Sequence, residues 1–135
     1  MLIVGAGPAG TAAAITLTRS GRSVLVVDKA SFPRDKICGD GLTTSALRHL
    51  EGLGVEPHQI DSWLPVHDVV VRAPYGVERR FALPRGQGLY AVVATRRDLD
   101  AALVDRARKE GAEIAEGAAL TSIANTADGV VAEVE

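Results

Sequence analysis

The chain has 135 residues, of which 47% are apolar and 24% charged, and its net charge at pH 7 is −2. These values are ordinary for a globular protein with one hydrophobic core, and the charge gives no reason to expect a nucleic acid partner. The single cysteine excludes an internal disulfide, a paired-cysteine redox motif and a structural zinc site, and it is typical of a reducing compartment such as the cytoplasm.

The N-terminal part of the chain predicts a strand, a helix and a second strand. Leu2–Val4 and Val24–Val27 are unbroken apolar runs, which are typical of buried strands in a parallel sheet. Between them, Pro8–Ser20 is rich in alanine and is followed by Gly21, a common helix stop. Residues 1–18 carry no charged side chain, but they lack the basic start of a signal peptide and contain too many glycines for a membrane span. We therefore expect no transmembrane segment.

The rest of the chain alternates between loops and short elements. Turn signals at Pro74-Tyr75-Gly76 and Ala127-Asp128-Gly129 indicate two β-hairpins. The predicted elements are, in order, a loop over 29–42, a helix over Thr43–Leu50, an irregular segment over 52–65, strands over Asp68–Arg72, Val77–Leu83 and Leu89–Ala94, a helix over Arg97–Glu110, and strands over Ala112–Ala115, Leu120–Ile123 and Val130–Val134. This order predicts an α/β fold with a parallel sheet and β-hairpin insertions.

The turn after the first strand carries the motif Gly5-Ala6-Gly7-Pro8-Ala9-Gly10. Its first glycine permits the sharp turn, the second lets the backbone approach a pyrophosphate, and the third allows helix and strand to pack closely. The pyrophosphate would lie at the helix N-terminus, where free N–H groups and the helix dipole favour negative charge. The motif is typical of a Rossmann-like dinucleotide site.

Asp28 ends the second strand and supplies the carboxylate that such sites use to accept hydrogen bonds from ribose hydroxyls. A carboxylate at this position disfavours NADP, because it repels the 2′-phosphate. The alternative interpretation is a glycine-rich turn with no ligand. The motif by itself does not distinguish FAD from NAD.

A second candidate segment is the loop Phe32-Pro33-Arg34-Asp35-Lys36-Ile37-Cys38-Gly39-Asp40-Gly41-Leu42. Its glycines and charges leave two interpretations open, a ligand-contacting loop and a solvated surface loop. The histidines at 49, 58 and 67 lack the spacing of a metal site, so no metal is expected.

Three segments together resemble the geranylgeranyl reductase family of FAD-dependent oxidoreductases, which belongs to the p-hydroxybenzoate hydroxylase fold group. They are GAGPAG, VVDKASFPRDKICGDGL and ATRRDLDAAL. The second is the specific one, because the related flavin halogenases usually have Gly-Glu-Ser where this chain has Cys38-Gly39-Asp40. The resemblance runs from Leu2 to Val134 and implies a Rossmann-like FAD-binding domain of the glutathione reductase type.

The resemblance also implies which residues contact FAD. The glycine motif would bind the pyrophosphate, Asp28 the adenosine ribose, and Arg96 of the R-x-x-L-D pattern the region of the pyrophosphate and ribityl chain. The loop with Cys38 would approach the flavin ring, and the backbone of Leu120 would lie against the adenine. The full expected set is Gly5, Ala6, Gly7, Pro8, Ala9, Gly10, Asp28, Lys29, Arg34, Cys38, Gly39, Arg96 and Leu120. Cys38 is the one candidate for a catalytic role, and a small apolar core residue is the alternative for it.

By the same resemblance, the expected reaction is reduction of C=C bonds in a polyprenyl chain, of the geranylgeranyl type or in a menaquinone side chain. Electrons would come from NAD(P)H or ferredoxin, and the lipid substrate would allow peripheral contact with a membrane. Two alternatives stay open. One is a flavin-dependent monooxygenase or halogenase, and the other is a non-catalytic FAD- or nucleotide-binding module.

The domain organisation follows from the extent of the resemblance, which covers the N-terminal third of a typical family member. The last predicted strand also runs to the end of the chain. We therefore expect residues 1–135 to form the N-terminal part of an FAD-binding domain that is inactive by itself, with the hairpin at 67–83 belonging to the start of the substrate domain.

Overall fold

The computed structural model describes residues 1–86 and 88–135, and these residues form an α/β fold. The helices are α1 (Pro8–Arg19), α2 (Thr44–Leu53) and α3 (Arg96–Lys109), with a 3-10 turn at Pro57–Gln59. The strands are β1 (Leu2–Val4), β2 (Leu25–Asp28), β3 (Gly41–Thr43), β4 (Leu64–Pro65), β5 (Asp68–Arg72), β6 (Glu78–Ala82), β7 (Ala91–Val93), β8 (Glu113–Glu116), β9 (Leu120–Thr126) and β10 (Gly129–Val134). The predicted fold class is confirmed.

A three-stranded parallel sheet in the order β1-β2-β8 organises the fold. Its register pairs Val4 with Val27 and Asp28 with Glu116. Because the strands are parallel, their carboxyl ends lie at one edge of the sheet, which is where open α/β sheets bind their ligands. The glycine turn and Asp28 both lie at this edge.

Helix α1 joins β1 to β2 and completes the predicted βαβ unit. It begins at Pro8, where the missing N–H removes no helical hydrogen bond. The Thr11 hydroxyl donates to the Gly7 carbonyl at 2.9 Å, and the Gly5 N–H donates to the Val27 carbonyl at 2.8 Å. These bonds tie the turn to the helix on one side and to β2 on the other.

Two hydrophobic clusters form the core of the described residues, and α3 contributes to both. The first lies between the parallel sheet and helices α1 and α3, and it contains Ala6, Ala14, Ile15, Val24, Val26, Val104, Ala107 and Ala112. The second joins α3 to α2 and β7, and it contains Leu50, Val55, Ile60, Val92, Ala94, Leu99 and Leu103. Helix α3 is therefore held from two sides, which fixes the residues at its N-terminus.

Two arginines bind the C-terminal end of α2, where carbonyl groups have no partner within the helix. Arg19 of α1 donates to the carbonyl groups of the last two residues of α2 at 2.8 and 2.9 Å. Arg106 of α3 donates to the Gly54 carbonyl at 3.1 Å. Glu110 accepts hydrogen bonds from both arginines and so joins the three helices through one carboxylate.

Glu110 is expected to make the stability of the fold depend on pH in the acid range. Hydrogen bonds from Arg19 and then Arg106 lower the pKa of Glu110 from 4.5 to about 2. A carboxylate whose pKa falls on folding contributes its full stabilisation above the unfolded pKa and loses it as the pH falls through the folded pKa. Glu110→Gln should therefore lower the melting temperature at neutral pH, and its difference from the wild type should shrink between pH 4.5 and about 2.

Thermal unfolding of the complete gene product across this pH range measures the effect. Asp105→Asn is the matched control, because Asp105 lies on the same helix, is largely exposed and approaches Arg108 only to 3.7 Å. Its difference from the wild type should change less than that of Glu110→Gln. A Glu110→Gln difference that stays constant as the pH falls would contradict the assignment.

The remaining strands form antiparallel units. Strands β5 and β6 pair as one hairpin and β9 and β10 as another, which confirms the predicted insertions. Strands β3, β7 and β4 form a small sheet in the order β3-β7-β4. Within residues 1–86 and 88–135, every helix is too short or too polar to cross a bilayer.

Several local predictions are wrong. The predicted loop over 29–42 ends in strand β3, and the segment over 52–65 contains the end of α2, the 3-10 turn and β4. Helix α2 continues to Leu53, because the residue that ends it is Gly54 with a φ of +76°. Strand β1 is not buried on both faces: Leu2 and Val4 are 37% and 54% exposed, since β1 lies at the edge of the described sheet.

Candidate functional site

The turn after β1 requires glycine at two positions. Gly5 has a φ of +96°, in the region that side chains rarely adopt. A Cβ on Gly10 would lie 1.8 Å from the Gly5 carbonyl oxygen, so only glycine allows α1 to pack this closely on the turn. Gly7 is different, because a Cβ there would meet its nearest atoms at an ordinary contact distance of 3.7 Å. Those atoms belong to two arginines.

The N-terminus of α1 offers N–H groups to an anion. Gly7 is the capping residue and has no side chain to accept hydrogen bonds from the first turn. Pro8 occupies the first helical position, Ala9 is exposed, and no acidic residue lies in the first turn. The unpaired N–H groups and the helix dipole make this a favourable place for a phosphate group.

Asp28 lies beside the glycine turn and its carboxylate has a fixed orientation. One oxygen accepts a hydrogen bond from the Ala6 N–H at 2.7 Å, and the other accepts one from the Ala30 N–H at 2.8 Å. A carboxylate has about four acceptor positions, so it can also accept hydrogen bonds from ribose hydroxyls. Lys29, the next residue, is exposed.

A groove of about 330 Å³ lies at the carboxyl edge of the sheet, between the ends of β1 and β2 and residues 118–120. Ala119 and Glu135 exchange both backbone hydrogen bonds, at 2.7 and 2.9 Å. The next pair, Leu120 with Val134, lies beside a register shift in the β9–β10 ladder, and Leu120 lines the groove where the resemblance expects the adenine.

Two arginines meet beside Gly7. The Nη2 atoms of Arg34 and Arg96 both lie 3.7 Å from the position that a Cβ of Gly7 would occupy. Arg96 donates to Asp100 through Nε and Nη2, each at 2.8 Å, and Arg34 Nη1 lies 3.2 Å from the same carboxylate. Arg97 is exposed, so of the two arginines that open α3 only Arg96 faces the glycine turn.

The arginine pair fits the pyrophosphate of a dinucleotide. Arg34 Nη1 is buried and lies 3.2 Å from Asp100, in an ion pair whose geometry does not make a hydrogen bond within the described residues. The guanidinium of Arg34 also lies over the Phe32 ring, 5.0 Å from its centroid. Two guanidinium groups against one carboxylate leave one net positive charge next to the N-terminus of α1.

The loop with Cys38 lies next to this cluster. Cys38 is exposed, which excludes the alternative of a small core residue. Hydrogen bonds from the Asp40 backbone and then from the Arg96 side chain hold the pKa of the Cys38 thiol below its ordinary value. Gly39 is exposed, and Ile37 is fully exposed at 102%. An apolar side chain and a thiol therefore extend from the same loop.

The expected residues thus fall into two adjacent groups. Asp28, Lys29 and Leu120 lie around the groove, and Arg34, Cys38 and Arg96 lie around Gly7. Sequence reasoning missed the part played by Asp100, although it belongs to the R-x-x-L-D pattern that identified Arg96.

The histidines at 49, 58 and 67 are exposed, and in the part of the chain that the structure describes no group of three or more His, Cys, Asp or Glu could hold a metal ion.

Comparison with known proteins gives consistent matches along the chain. A family model described as an FAD binding domain matches residues 1–135. The chain is 37% identical to a menaquinone reductase of Mycolicibacterium smegmatis over 97% of its own length and 32% of the relative's. It is also 37% identical to digeranylgeranylglycerophospholipid reductase 2 of Methanopyrus kandleri, over 84% of its own length and 27% of the relative's. The chain thus spans about a third or less of these relatives.

Solved structures share the fold. A geranylgeranyl bacteriochlorophyll reductase-like protein from Thermoplasma acidophilum superposes with a TM-score of 0.82 at 21% identity, over 98% of this chain and 34% of that one. The flavin-dependent halogenase CmlS superposes with a TM-score of 0.81 at 26% identity, over 98% of this chain and 25% of that one. The chain therefore belongs to the FAD binding domain family, with FAD as its cofactor, and its resemblance to geranylgeranyl reductase-type flavoproteins is confirmed.

Proposed function

We propose that this chain is the FAD-binding part of a flavin-dependent reductase that saturates C=C bonds in polyprenyl groups, in a menaquinone side chain or a geranylgeranyl lipid. The observation that carries the proposal is the 37% identity with a menaquinone reductase over almost the whole chain. The equal identity with a digeranylgeranylglycerophospholipid reductase supports it, because that relative is also named as a reductase of a geranylgeranyl compound.

The residues of the chain bind and orient the cofactor in this proposal. FAD supplies hydride-transfer chemistry when bound. The glycine turn and the N-terminus of α1 hold its pyrophosphate, with Arg34 and Arg96 balancing the negative charge. Asp28 accepts hydrogen bonds from the ribose, and the backbone of Leu120, which lines the same groove, lies against the adenine.

The loop of Ile37, Cys38 and Gly39 faces the flavin ring in this proposal. Its exposure supports that placement, because neither the thiol nor the isoleucine side chain is buried by the described residues. Cys38 is the candidate catalytic residue, with its sulfur as the atom that holds or releases a proton. Cys38 interacts with Arg96, which supports a position of this loop beside the arginine cluster.

The setting of the reaction follows from the substrate class. NAD(P)H or ferredoxin supplies the electrons, and the protein works in the cytoplasm in peripheral contact with the membrane that holds a polyprenyl lipid. The hairpin of β5 and β6 begins the substrate domain. An uncovered apolar face of the hairpin supports this assignment to the substrate domain. On that face Val69, Val71 and Phe81 are 42%, 55% and 56% exposed within the described chain.

A second candidate is a flavin-dependent halogenase or monooxygenase. The similarity to CmlS supports it, because CmlS is a flavin-dependent halogenase that is 26% identical over 98% of this chain. The sequence Cys38-Gly39-Asp40 opposes it, because flavin halogenases usually have Gly-Glu-Ser there. A non-catalytic FAD-binding module is the third candidate, which a failure of every turnover assay would favour.

Anaerobic turnover distinguishes these candidates. The complete gene product, loaded with FAD and reduced with dithionite, is expected to saturate a polyprenyl lipid in the absence of oxygen. The measurement is mass spectrometry of menaquinone or a geranylgeranyl lipid supplied in detergent, with unreduced enzyme as the control. Conversion that requires oxygen, or halogen incorporation from added halide, would contradict the reductase assignment.

A further inference from the structure

Asp100 is a completely buried carboxylate, with 0% of its surface exposed, and the reaction proposed above gives it no chemical role. It lies in the second turn of α3 and accepts two hydrogen bonds from Arg96, each at 2.8 Å. Taking a carboxylate out of water is unfavourable by several kcal/mol unless positive groups compensate for the lost hydration. Asp100 has two such groups within reach, because Arg34 Nη1 also lies 3.2 Å from its Oδ2 atom.

Arg96 and Arg34 differ in how firmly the rest of the structure holds them in place without Asp100. Arg96 belongs to α3 itself, and both it and Asp100 are held by the helix that joins the two core clusters. Arg34 belongs to the loop after β2, in which the neighbouring residues 35–39 are exposed. The Arg34 guanidinium contacts the ring of Phe32, 5.0 Å from its centroid, and the carboxylate of Asp100. The position of Arg34 therefore depends on Asp100 more than that of Arg96 does.

Without the carboxylate of Asp100, the positively charged guanidinium groups of Arg34 and Arg96 would repel each other and move apart. Both guanidinium groups place an Nη2 atom 3.7 Å from the same point beside Gly7. At a few ångströms two positive charges repel each other substantially, and the positive end of the α1 dipole adds to the repulsion. Asp100 offsets this and holds both arginines on the side of Gly7 where the backbone is open to a pyrophosphate.

We propose that Asp100 is a positioning residue that holds Arg34 and Arg96 together against the pyrophosphate of FAD. It acts through the arginines and does not itself contact the cofactor. In this arrangement the loop that carries Cys38 is tied to α3 through Arg34, so one buried carboxylate orders both the pyrophosphate contacts and the loop. The inference rests on the proposed position of the pyrophosphate.

The direction in which Asp100→Asn changes the affinity for ADP distinguishes a positioning role from an effect of net charge alone. Asp100→Asn preserves the shape of the side chain, removes its negative charge and turns an N–H donor toward the guanidinium groups. If net charge alone mattered, the site would become more positive and would bind a pyrophosphate more tightly. The positioning role predicts the opposite, a loss of ADP and FAD affinity of about 10- to 100-fold, which is the range expected when hydrogen bonds to charged groups are lost.

The experiment compares ADP with adenosine, using the apo form of the complete gene product and isothermal titration calorimetry. Asp100→Asn should weaken ADP and FAD and leave adenosine unchanged, because adenosine has no pyrophosphate. Asp98→Asn is the matched control, since Asp98 lies on the same helix and interacts with Ser62, Thr95 and Arg97 instead of Arg34 and Arg96. Equal weakening of ADP and adenosine would indicate a general structural role and overturn the inference, as would wild-type or tighter ADP binding.

A second variant keeps the proposal testable if Asp100→Asn does not fold. Arg34→Gln changes a loop residue, and it should weaken ADP about 10-fold without changing adenosine binding. Where both single variants fold, the double variant should lose less than the sum of the two effects, because the residues act as one unit. Unchanged ADP binding by Arg34→Gln, or additive losses in the double variant, would overturn the inference. A wild-type protein that binds neither FAD nor ADP would instead contradict the proposed function itself.

Discussion

Replacing Gly10 with alanine is expected to abolish tight FAD binding and to destabilise the fold by about 1–3 kcal/mol or more. The added Cβ would lie 1.8 Å from the carbonyl oxygen and 3.0 Å from the carbonyl carbon of Gly5. Both are backbone atoms, so the overlap cannot be relieved by a side-chain rotation. Helix α1 would have to move away from the turn, and its N-terminus would move with it, away from the position of the pyrophosphate.

Gly52→Ala provides a matched control for a glycine within a helix. A Cβ on Gly52 would meet no atom within 4 Å, and the residue lies in the last turn of α2. Alanine there should raise the stability by about 0.5–1 kcal/mol and leave FAD affinity unchanged. FAD titration followed by flavin fluorescence, together with thermal unfolding of the complete gene product, measures both quantities. Wild-type FAD affinity in Gly10→Ala would show that close packing of α1 is not needed for the site.

The glycine turn and Asp28 could be predicted from the sequence because their geometry is set locally. The turn needs a positive φ at Gly5 and close backbone contact at Gly10, and only glycine satisfies both. Asp28 ends the strand that pairs with β1, so a short βαβ unit fixes its distance from the turn. A spacing pattern describes such a unit completely, and the structure adds the hydrogen bond from Ala6.

The arginine cluster could not be predicted in the same way, because its members are distant in the sequence. Arg34 lies after β2 and Asp100 in α3, and they meet only because the parallel sheet and the core clusters bring the two segments together. The ion pair between Arg96 and Asp100 could have been predicted, because residues four positions apart are neighbours on one face of a helix. The pattern gave no reason to expect that the carboxylate would be completely buried or shared.

The differences in secondary structure have similar causes. The end of α2 depends on which of two glycines adopts a positive φ, and tertiary contacts of Arg19 and Arg106 with that end favour Gly54 over Gly52. The sheet of β3, β7 and β4 joins short strands from separate parts of the chain, and only β7 has an apolar run long enough to predict. The exposure of β1 depends on its neighbours in space, which an apolar run does not describe.

Replacing Asp28 with asparagine is expected to weaken FAD binding about 10- to 100-fold, since a hydrogen bond to a charged group contributes about 1.5–3 kcal/mol. The carboxylate accepts hydrogen bonds from the N–H groups of Ala6 and Ala30, one on each oxygen. An asparagine amide can accept only one of them and presents its NH2 group to the other, which leaves a donor unpaired. The substitution therefore disturbs the turn as well as the ribose contact.

The ribose contact can be isolated by comparing ADP with 2′-deoxy-ADP in calorimetric titrations of the apo protein. The wild type should prefer ADP, because the carboxylate accepts a hydrogen bond from the ribose hydroxyl, and Asp28→Asn should lose most of this preference. Glu113→Gln is the control, since Glu113 is an exposed carboxylate on β8 of the same sheet and lies outside the groove. If Asp28→Asn weakened both nucleotides equally, the carboxylate would act by holding the turn at Ala6, and the ribose would lie elsewhere along the groove.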